Sequence, residues 1–227
     1  MPRIEIGPFG TDQAQLYRLS NQAGMVVTLT NFGARIVEIL LPVDGQLRSV
    51  SLAAQSDEDY LEKDAYVGST VAPVAGRISG AATSIKGQLV HFTENEPGRT
   101  LHSGDKASNQ QYWQASMDEA ANQVSFNLVL PDGYNGFPGP VTVTASYRLT
   151  EENELRIAYQ ASSEKDTIFN PTNHVYFNLS GDFSQTVADH QLRIQAEHFV
   201  PLGEDNLPLG EFGLSRILPL IFGNLLP

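Results

Sequence analysis

The chain has 227 residues, of which 41% are hydrophobic, and this is enough for the core of one large β domain or two small ones. Its formal net charge of −12, from 14 basic and 26 acidic side chains, argues against nucleic acid or an anionic membrane as a partner. Cysteine is absent, which excludes disulfides and thiolate metal sites.

Targeting signals are not evident in the sequence. The first residues, 1–7, lack the charged-then-apolar pattern of a secretory signal. Every apolar run is shorter than the roughly 20 residues that a membrane-spanning helix needs. We therefore expect a soluble cytoplasmic protein.

Most of the chain has the pattern of antiparallel strands. After a first turn at Asp44-Gly45, residues 56–61 (Ser-Asp-Glu-Asp-Tyr-Leu) predict a short capped helical turn. Apolar and polar residues then alternate, with the period of a half-buried strand, in residues 124–128, 141–149, 155–157 and 192–194. Further turn dipeptides lie at Lys86-Gly87, Asp132-Gly133, Asn135-Gly136 and Pro138-Gly139. Short strands with regular turns predict an all-β sandwich or barrel.

The end of the chain differs from the rest. Residues 214–227 carry one charge and show no alternation. The segment is too short for a membrane helix and too apolar for a solvated tail. We expect one β-sandwich domain over residues 1–212 and an atypical apolar tail over residues 213–227.

Three polar segments are candidates for a functional site. In residues 170–181, His174 follows Asn173 and precedes the aromatic Tyr176, an arrangement suited to proton transfer on a small polar substrate. In residues 100–104, His102 stands at the start of a small-residue loop, and in residues 68–79 Arg77 follows a glycine. The plainer interpretations are a core histidine, a loop histidine and a surface arginine. The tight aromatic turn of residues 130–139 is either a hairpin connection or a surface on which a sugar ring stacks.

In these segments the chain resembles the aldose 1-epimerase (galactose mutarotase) family. Five motifs occur in the family's order, between about Asn31 and about Leu209. They are Asn31–Ala34 followed by Leu41-Pro42, Gly76–Ile78, Leu101–Gly104, Pro131–Gly139 and Thr172–Gly181. Ser103 replaces the first glycine of the family's Leu-His-Gly-Gly motif.

The resemblance implies a large antiparallel β-sandwich of the galactose mutarotase-like supersandwich type. It implies interconversion of the α and β anomers of aldohexoses such as galactose and glucose, without a metal or cofactor. His174 would be the general acid at the ring oxygen, and His102 would hydrogen-bond the sugar. Arg77, Asn173 and Tyr176 would bind the substrate.

The chain departs from the family pattern at two places. Ala72-Pro73 stands where the family usually has a further Gly-Arg pair. The family's glutamate base and a substrate-binding aspartate belong to a C-terminal part that is missing here, so a truncated form with impaired activity is expected. Glu197 and Glu204 are substitute bases that no motif supports. Two alternatives stay open: a non-catalytic carbohydrate-binding remnant and a hexose-6-phosphate epimerase-like protein.

Overall fold

The computed structural model describes residues 3–63 and 66–214. The fold begins with a five-stranded antiparallel sheet in which each strand pairs with the next. Its strands are β1 (Arg3–Phe9), β2 (Thr11–Ser20), β3 (Val26–Thr30), β4 (Arg35–Val43) and β5 (Gln46–Ser49). The turn between β4 and β5 is Asp44-Gly45, with φ of 51° and 77°, the left-handed pair that a two-residue hairpin requires.

One short helix, α1 (Asp57–Lys63), follows this sheet, which confirms the predicted helical turn. The hydroxyl of Ser56 caps it by accepting a hydrogen bond of 3.0 Å from the backbone N–H of Asp59. The buried carboxylate of Asp57 accepts hydrogen bonds from the backbone N–H of Thr11 (3.0 Å) and from the hydroxyls of Thr11 (2.5 Å) and Tyr112 (2.6 Å). These bonds attach the helix to the start of β2.

Five short strands then follow in the chain, and four of them form two small antiparallel ladders. They are β6 (Thr70–Val71), β7 (Arg77–Ser79), β8 (Ala82–Ile85), β9 (Gln88–His91) and β10 (Arg99–Leu101). β8 and β9 form a hairpin through the predicted Lys86-Gly87 turn, and β7 pairs with β10.

A second large antiparallel sheet has the order β11-β12-β13-β14. Its strands are β11 (Gln114–Asp118), β12 (Gln123–Leu130), β13 (Val141–Leu149) and β14 (Leu155–Ser163), with 3₁₀ turns at Ser108–Gln110 and Tyr134–Gly136. The strands predicted at residues 124–128, 141–149 and 155–157 are therefore confirmed.

The inner faces of the two large sheets share one hydrophobic core. Leu19, Val27 and Leu29 come from the first sheet, and Phe126 and Val143 from the second, and all five side chains are fully buried. Each such side chain contributes about 1.5–3 kcal/mol relative to leaving it exposed. The predicted all-β sandwich is confirmed.

The remaining strands are short. β15 (Thr172–Asn173) pairs with β6, and β16 (His198–Phe199) pairs with β17 (Gly213–Leu214). The chain divides into an N-terminal unit (Met1–Phe177) and a C-terminal unit (Asn178–Pro227). The expected domain end at residue 212 stays a prediction, and the tail beyond residue 214 lies outside the described residues.

The strand predicted at residues 192–194 is wrong. Those residues have no ladder partner, and Leu192 and Ile194 are 50% and 59% exposed. Alternation marks a strand only where a partner strand and a core receive its two faces, and neither is formed there.

Within the described ranges, none of the helices has the length and apolar character needed to cross a membrane.

Candidate functional site

An open cavity of about 550 Å³ lies in the N-terminal unit. It is lined by two chain segments and one histidine: Ala75 and Gly76, residues 170–176, and His102. The lining therefore includes four of the five residues predicted as catalytic or substrate-binding, namely His102, Asn173, His174 and Tyr176. Both histidines are half-buried lining residues of this cavity, and their catalytic roles stay a prediction.

Backbone hydrogen bonds hold the His174 segment in place. The N–H of His174 donates to the carbonyl of Ser69 (2.8 Å), and its own carbonyl accepts from the N–H of Gly68 (2.9 Å). Gly68 has φ of +72°, and a Cβ there would lie 2.1 Å from the carbonyl oxygen of Ile36. Position 68 therefore requires glycine both for its conformation and for the close approach of β4.

The side chain of Asn173 also holds the His174 segment in place, through three hydrogen bonds of its amide group. Its amide nitrogen donates to the carbonyl of Gly68 (3.0 Å) and to the hydroxyl of Tyr147 (3.2 Å), and its amide oxygen accepts from the N–H of Val175 (3.1 Å). Tyr147 donates in turn to the carbonyl of Ala34 (2.7 Å). Burial raises the pKa of the Tyr147 hydroxyl well above its ordinary value, so this bracing group stays neutral.

His102 is fixed by the glycine before Arg77. The backbone N–H of His102 donates to the carbonyl of Gly76 (3.0 Å), and the ring Nδ1 of His102 accepts from the backbone N–H of Gly76 (3.1 Å). Because Nδ1 is the acceptor, the neutral ring carries its proton on Nε2.

The loop that follows His102 has a strained backbone. His102, Ser103 and Gly104 have φ of 50°, 69° and 88°, a run of left-handed residues of which only the last is glycine. The Ser103 hydroxyl holds the run by accepting from the N–H of Val74 and donating to its carbonyl, both at 2.8 Å.

The two histidine rings lie together in an aromatic cluster. Their centroids are 5.2 Å apart with the ring planes at 85°, and Tyr66 lies 4.7 Å from His102 and 5.9 Å from His174. Tyr176 lies 5.2 Å from His174 on the other side. Within residues 3–63 and 66–214, neither ring nitrogen of His174 has a hydrogen-bond partner. The site thus combines one histidine with a fixed tautomer and one whose ring nitrogens have no hydrogen-bond partner among the described residues.

Arg77 lies next to the cavity and is engaged by a carboxylate. It follows the lining residue Gly76, pairs across β7 and β10 with Leu101, and is not itself among the lining residues. Its Nε and one terminal nitrogen donate to the two carboxylate oxygens of Glu96, at 2.8 and 2.9 Å.

No residue described as lining the cavity carries a carboxylate. Glu197 and Glu204, weighed as bases from the sequence, are exposed residues of the C-terminal unit. No group of three or more His, Asp or Glu side chains in the described part of the chain is placed to hold a metal ion.

Two residues in this region were not predicted from the sequence. Tyr66 lies outside every motif, and Glu96 occurs in an ordinary polar loop. Both are near the histidines only because two long-range contacts bring distant parts of the chain together. These contacts are the ladder of β7 and β10 and the backbone hydrogen bond from Gly68 to His174.

The chain belongs to the class of antiparallel β-sandwich proteins, with two histidines in one open cavity, and similarity to known proteins identifies the family. The aldose 1-epimerase family model matches residues 15–216. The chain therefore belongs to the aldose 1-epimerase family.

Individual relatives agree with this assignment. The chain is 36% identical over 195 residues to the aldose 1-epimerase of Escherichia coli K12, covering 86% of this chain and 56% of the relative. It is 30% identical over 205 residues to human galactose mutarotase, covering 90% and 59%. The crystal structure of galactose 1-epimerase from Lactobacillus acidophilus NCFM superimposes with a TM-score of 0.85 at 29% identity, covering 98% of this chain and 66% of that one. The chain thus spans little more than half the length of the curated relatives it matches.

Proposed function

We propose that the chain binds aldohexoses such as galactose and glucose in this cavity and takes part in interconverting their α and β anomers. The observation that carries the proposal is the histidine pair, whose two rings share one open cavity but have different hydrogen-bond environments. A cavity of this size suits a single sugar ring, because small-ligand sites usually enclose about 300–1,000 Å³.

Ring opening moves two protons. The hydroxyl on C1 loses its proton to water as C1 becomes a carbonyl, the bond between C1 and the ring oxygen breaks, and the ring oxygen gains a proton. His174, whose ring nitrogens have no hydrogen-bond partner among the described residues, is the acid that protonates the ring oxygen. His102 donates its Nε2–H to the sugar and stabilises charge on the ring oxygen. Closure on the other face of the carbonyl reverses these transfers and gives the second anomer.

The other predicted residues bind or position. Tyr176 offers a ring face and a hydroxyl to the sugar. Arg77 binds sugar hydroxyls from the edge of the cavity. Asn173 acts mainly through His174, since its amide is occupied by Gly68, Tyr147 and Val175.

A second candidate function is sugar binding without turnover. The absence of a carboxylate from the described lining favours it, because the C1 hydroxyl then has no carboxylate base. A hexose-6-phosphate epimerase is less favoured, because Arg77 is already paired with Glu96. We retain a cytoplasmic location as part of the proposal.

Polarimetry on freshly dissolved α-galactose or α-glucose, together with calorimetric titration of galactose, tests the proposal. Turnover that falls by about 10²–10⁴-fold in His174→Gln supports the epimerase. Saturable binding without turnover supports the second candidate. The control is His91→Gln, which changes an exposed histidine of β9. Neither binding nor turnover in the wild-type chain would reject both functions.

A further inference from the structure

Two arginines share one carboxylate at the edge of the cavity. Glu96 binds Arg77 through two hydrogen bonds of 2.8 and 2.9 Å, and its Oε2 lies 3.6 Å from Nε of Arg99. The three side chains are only 22–27% exposed. They form a compact cluster with two positive charges and one negative charge.

The loop that carries Glu96 is held rigidly beside the histidines. Glu96 and Arg99 exchange backbone hydrogen bonds of 3.3 and 3.0 Å. The side chain of Asn95 bonds both the N–H (2.7 Å) and the carbonyl (3.0 Å) of Leu101, which precedes His102. The carboxylate is therefore placed before any ligand arrives.

Glu96 is ionised at neutral pH. The hydrogen bond from Arg77 is the largest influence that lowers the pKa of its carboxyl group, and the charges of Arg77, Arg99 and His102 lower it further.

Guanidinium groups bind phosphate through paired N–H donors and by charge, and two of them side by side make a ready site for a phosphoryl group. A fixed carboxylate between them takes two of the five N–H donors of Arg77, which leaves donors for neutral hydroxyls, and its charge repels a second anion. A neutral sugar suffers no such repulsion. The cluster therefore distinguishes ligands by charge.

Resting on the proposed function, we propose that Glu96 is a specificity-determining residue that restricts the cavity to neutral sugars and excludes sugar phosphates. It does so by keeping Arg77 and Arg99 paired with its own carboxylate.

Calorimetric titration with galactose 6-phosphate and with inorganic phosphate tests this in the full 227-residue chain. Glu96→Gln should bind galactose 6-phosphate roughly tenfold tighter than wild type, a change of about 1.4 kcal/mol. The gain should shrink at high ionic strength, because it is electrostatic. The gain in affinity should disappear in the double variant Glu96→Gln/Arg77→Gln. The variant Glu96→Asp keeps the negative charge and should continue to exclude the phosphate.

The matched control is Glu154→Gln, which removes the same charge from the exposed Glu154–Arg156 pair of β14. An equal gain in this control would overturn the proposal, because it would then report only the net charge of the chain. No gain in Glu96→Gln, in a protein whose circular dichroism and melting temperature match wild type, would overturn it too. If Glu96→Gln does not fold, an Arg99→Gln variant decides the matter: it should weaken phosphate binding further, and tighter binding would contradict the proposal.

Galactose titrated into wild type separates this inference from the function on which it rests. Lack of galactose binding rejects the proposed function. The inference about Glu96 is tested separately, by whether Glu96→Gln binds galactose 6-phosphate more tightly than wild type does.

Discussion

His102 and His174 show how one residue type is given two roles by its surroundings. The Nδ1 of His102 accepts a hydrogen bond from the backbone N–H of Gly76. His174 is held by hydrogen bonds of its main chain, and its side chain belongs to the lining of the cavity. The hydrogen bond to Nδ1 fixes the tautomer of His102, and this fixed Nε2–H is what a neutral hydrogen-bond donor to a sugar oxygen requires.

This arrangement predicts the tautomer of His102 in solution. Long-range ¹H–¹⁵N correlation spectra near pH 8 should show a protonated Nε2 and an unprotonated Nδ1 for this ring. A wild-type His102 ring protonated on Nδ1 would contradict the geometry.

Tyr147 stabilises the fold through its hydroxyl. Tyr147→Phe deprives Asn173 and Thr70 of a buried partner, so the free energy of unfolding should fall by about 1–2 kcal/mol. Urea denaturation measures this loss. Ser146→Ala, on the outward face of the same strand, should change it by less than about 0.5 kcal/mol, because water can replace the lost hydroxyl as the partner of Ser125. Equal losses in the two variants would show that the buried network adds nothing.

At the residue scale, the sequence predicted side-chain types better than their orientations. His102, His174 and Tyr176 stand in motifs and line the cavity. The engagement of Arg77 by Glu96 was not predictable, because it depends on the register between β7 and β10 and on the fold of the loop between residues 91 and 99. Long-range pairing of this kind leaves no local pattern.

At the scale of elements, strands were predictable where two sheets bury alternate residues. In β13, alternation gives a regular buried and half-buried pattern, and its cross-strand partners lie in β12 and β14. The same alternation at residues 192–194 was misleading, because in the described part of the C-terminal unit these residues do not join the short ladder of β16 and β17. The buried Arg35, whose guanidinium donates to the carbonyls of Phe32, Val67 and Asn109, also had no local signal.

The attachment of α1 to β2 predicts a dependence of stability on pH. Burial by itself would raise the pKa of Asp57, but hydrogen bonds from Thr11 and Tyr112 outweigh it and lower the pKa below the ordinary 3.8. A lowered folded-state pKa gives stability that is complete above the unfolded-state pKa and is lost as pH falls through the folded-state value. Asp57→Asn should therefore destabilise the protein by about 1–3 kcal/mol at pH 7.

The difference between Asp57→Asn and wild type should start to shrink below about pH 4, where the carboxyl of the unfolded chain becomes protonated, and should shrink further as pH falls through the lower pKa of the folded protein. Urea midpoints from pH 7 to pH 2.5 measure it. Glu58→Gln, at the exposed neighbouring position, serves as the control. A difference that does not change with pH would show that the charge of Asp57 plays no part.

On the scale of the whole molecule, the two units differ in how they bury apolar side chains. The N-terminal unit contains the hydrophobic cores, whereas every described apolar side chain of the C-terminal unit is at least partly exposed, including Phe212 at 77%. Exposed apolar surface on this scale favours association.

The purified 227-residue chain should therefore bind an apolar dye and self-associate at micromolar concentration. Dye fluorescence and analytical ultracentrifugation measure these properties. Replacing Phe212 and Ile194 together by serine should lower both signals, whereas Val129→Ser on the exposed face of β12 should lower them less. A monodisperse monomer with little dye binding would contradict this expectation.

The catalytic turnover of the whole chain should be low. The described lining lacks a carboxylate, so turnover should be about 10²–10⁴-fold below that of the Escherichia coli relative measured in parallel. Polarimetry on α-galactose, corrected for the spontaneous reaction, gives the ratio. Equal turnover that is lost in Glu204→Gln would reveal a base within the chain.

Gly68 has a consequence for how freely this protein can vary. Its missing side chain lets one backbone segment contact Ile36 on one side and His174 on the other. A library with all amino acids at position 68, selected for folding, should return glycine almost alone. Position 7, which has open space and no left-handed φ, should accept most side chains. The lack of room for a single Cβ atom at Gly68 thus limits which substitutions can occur in the part of the structure that holds His174.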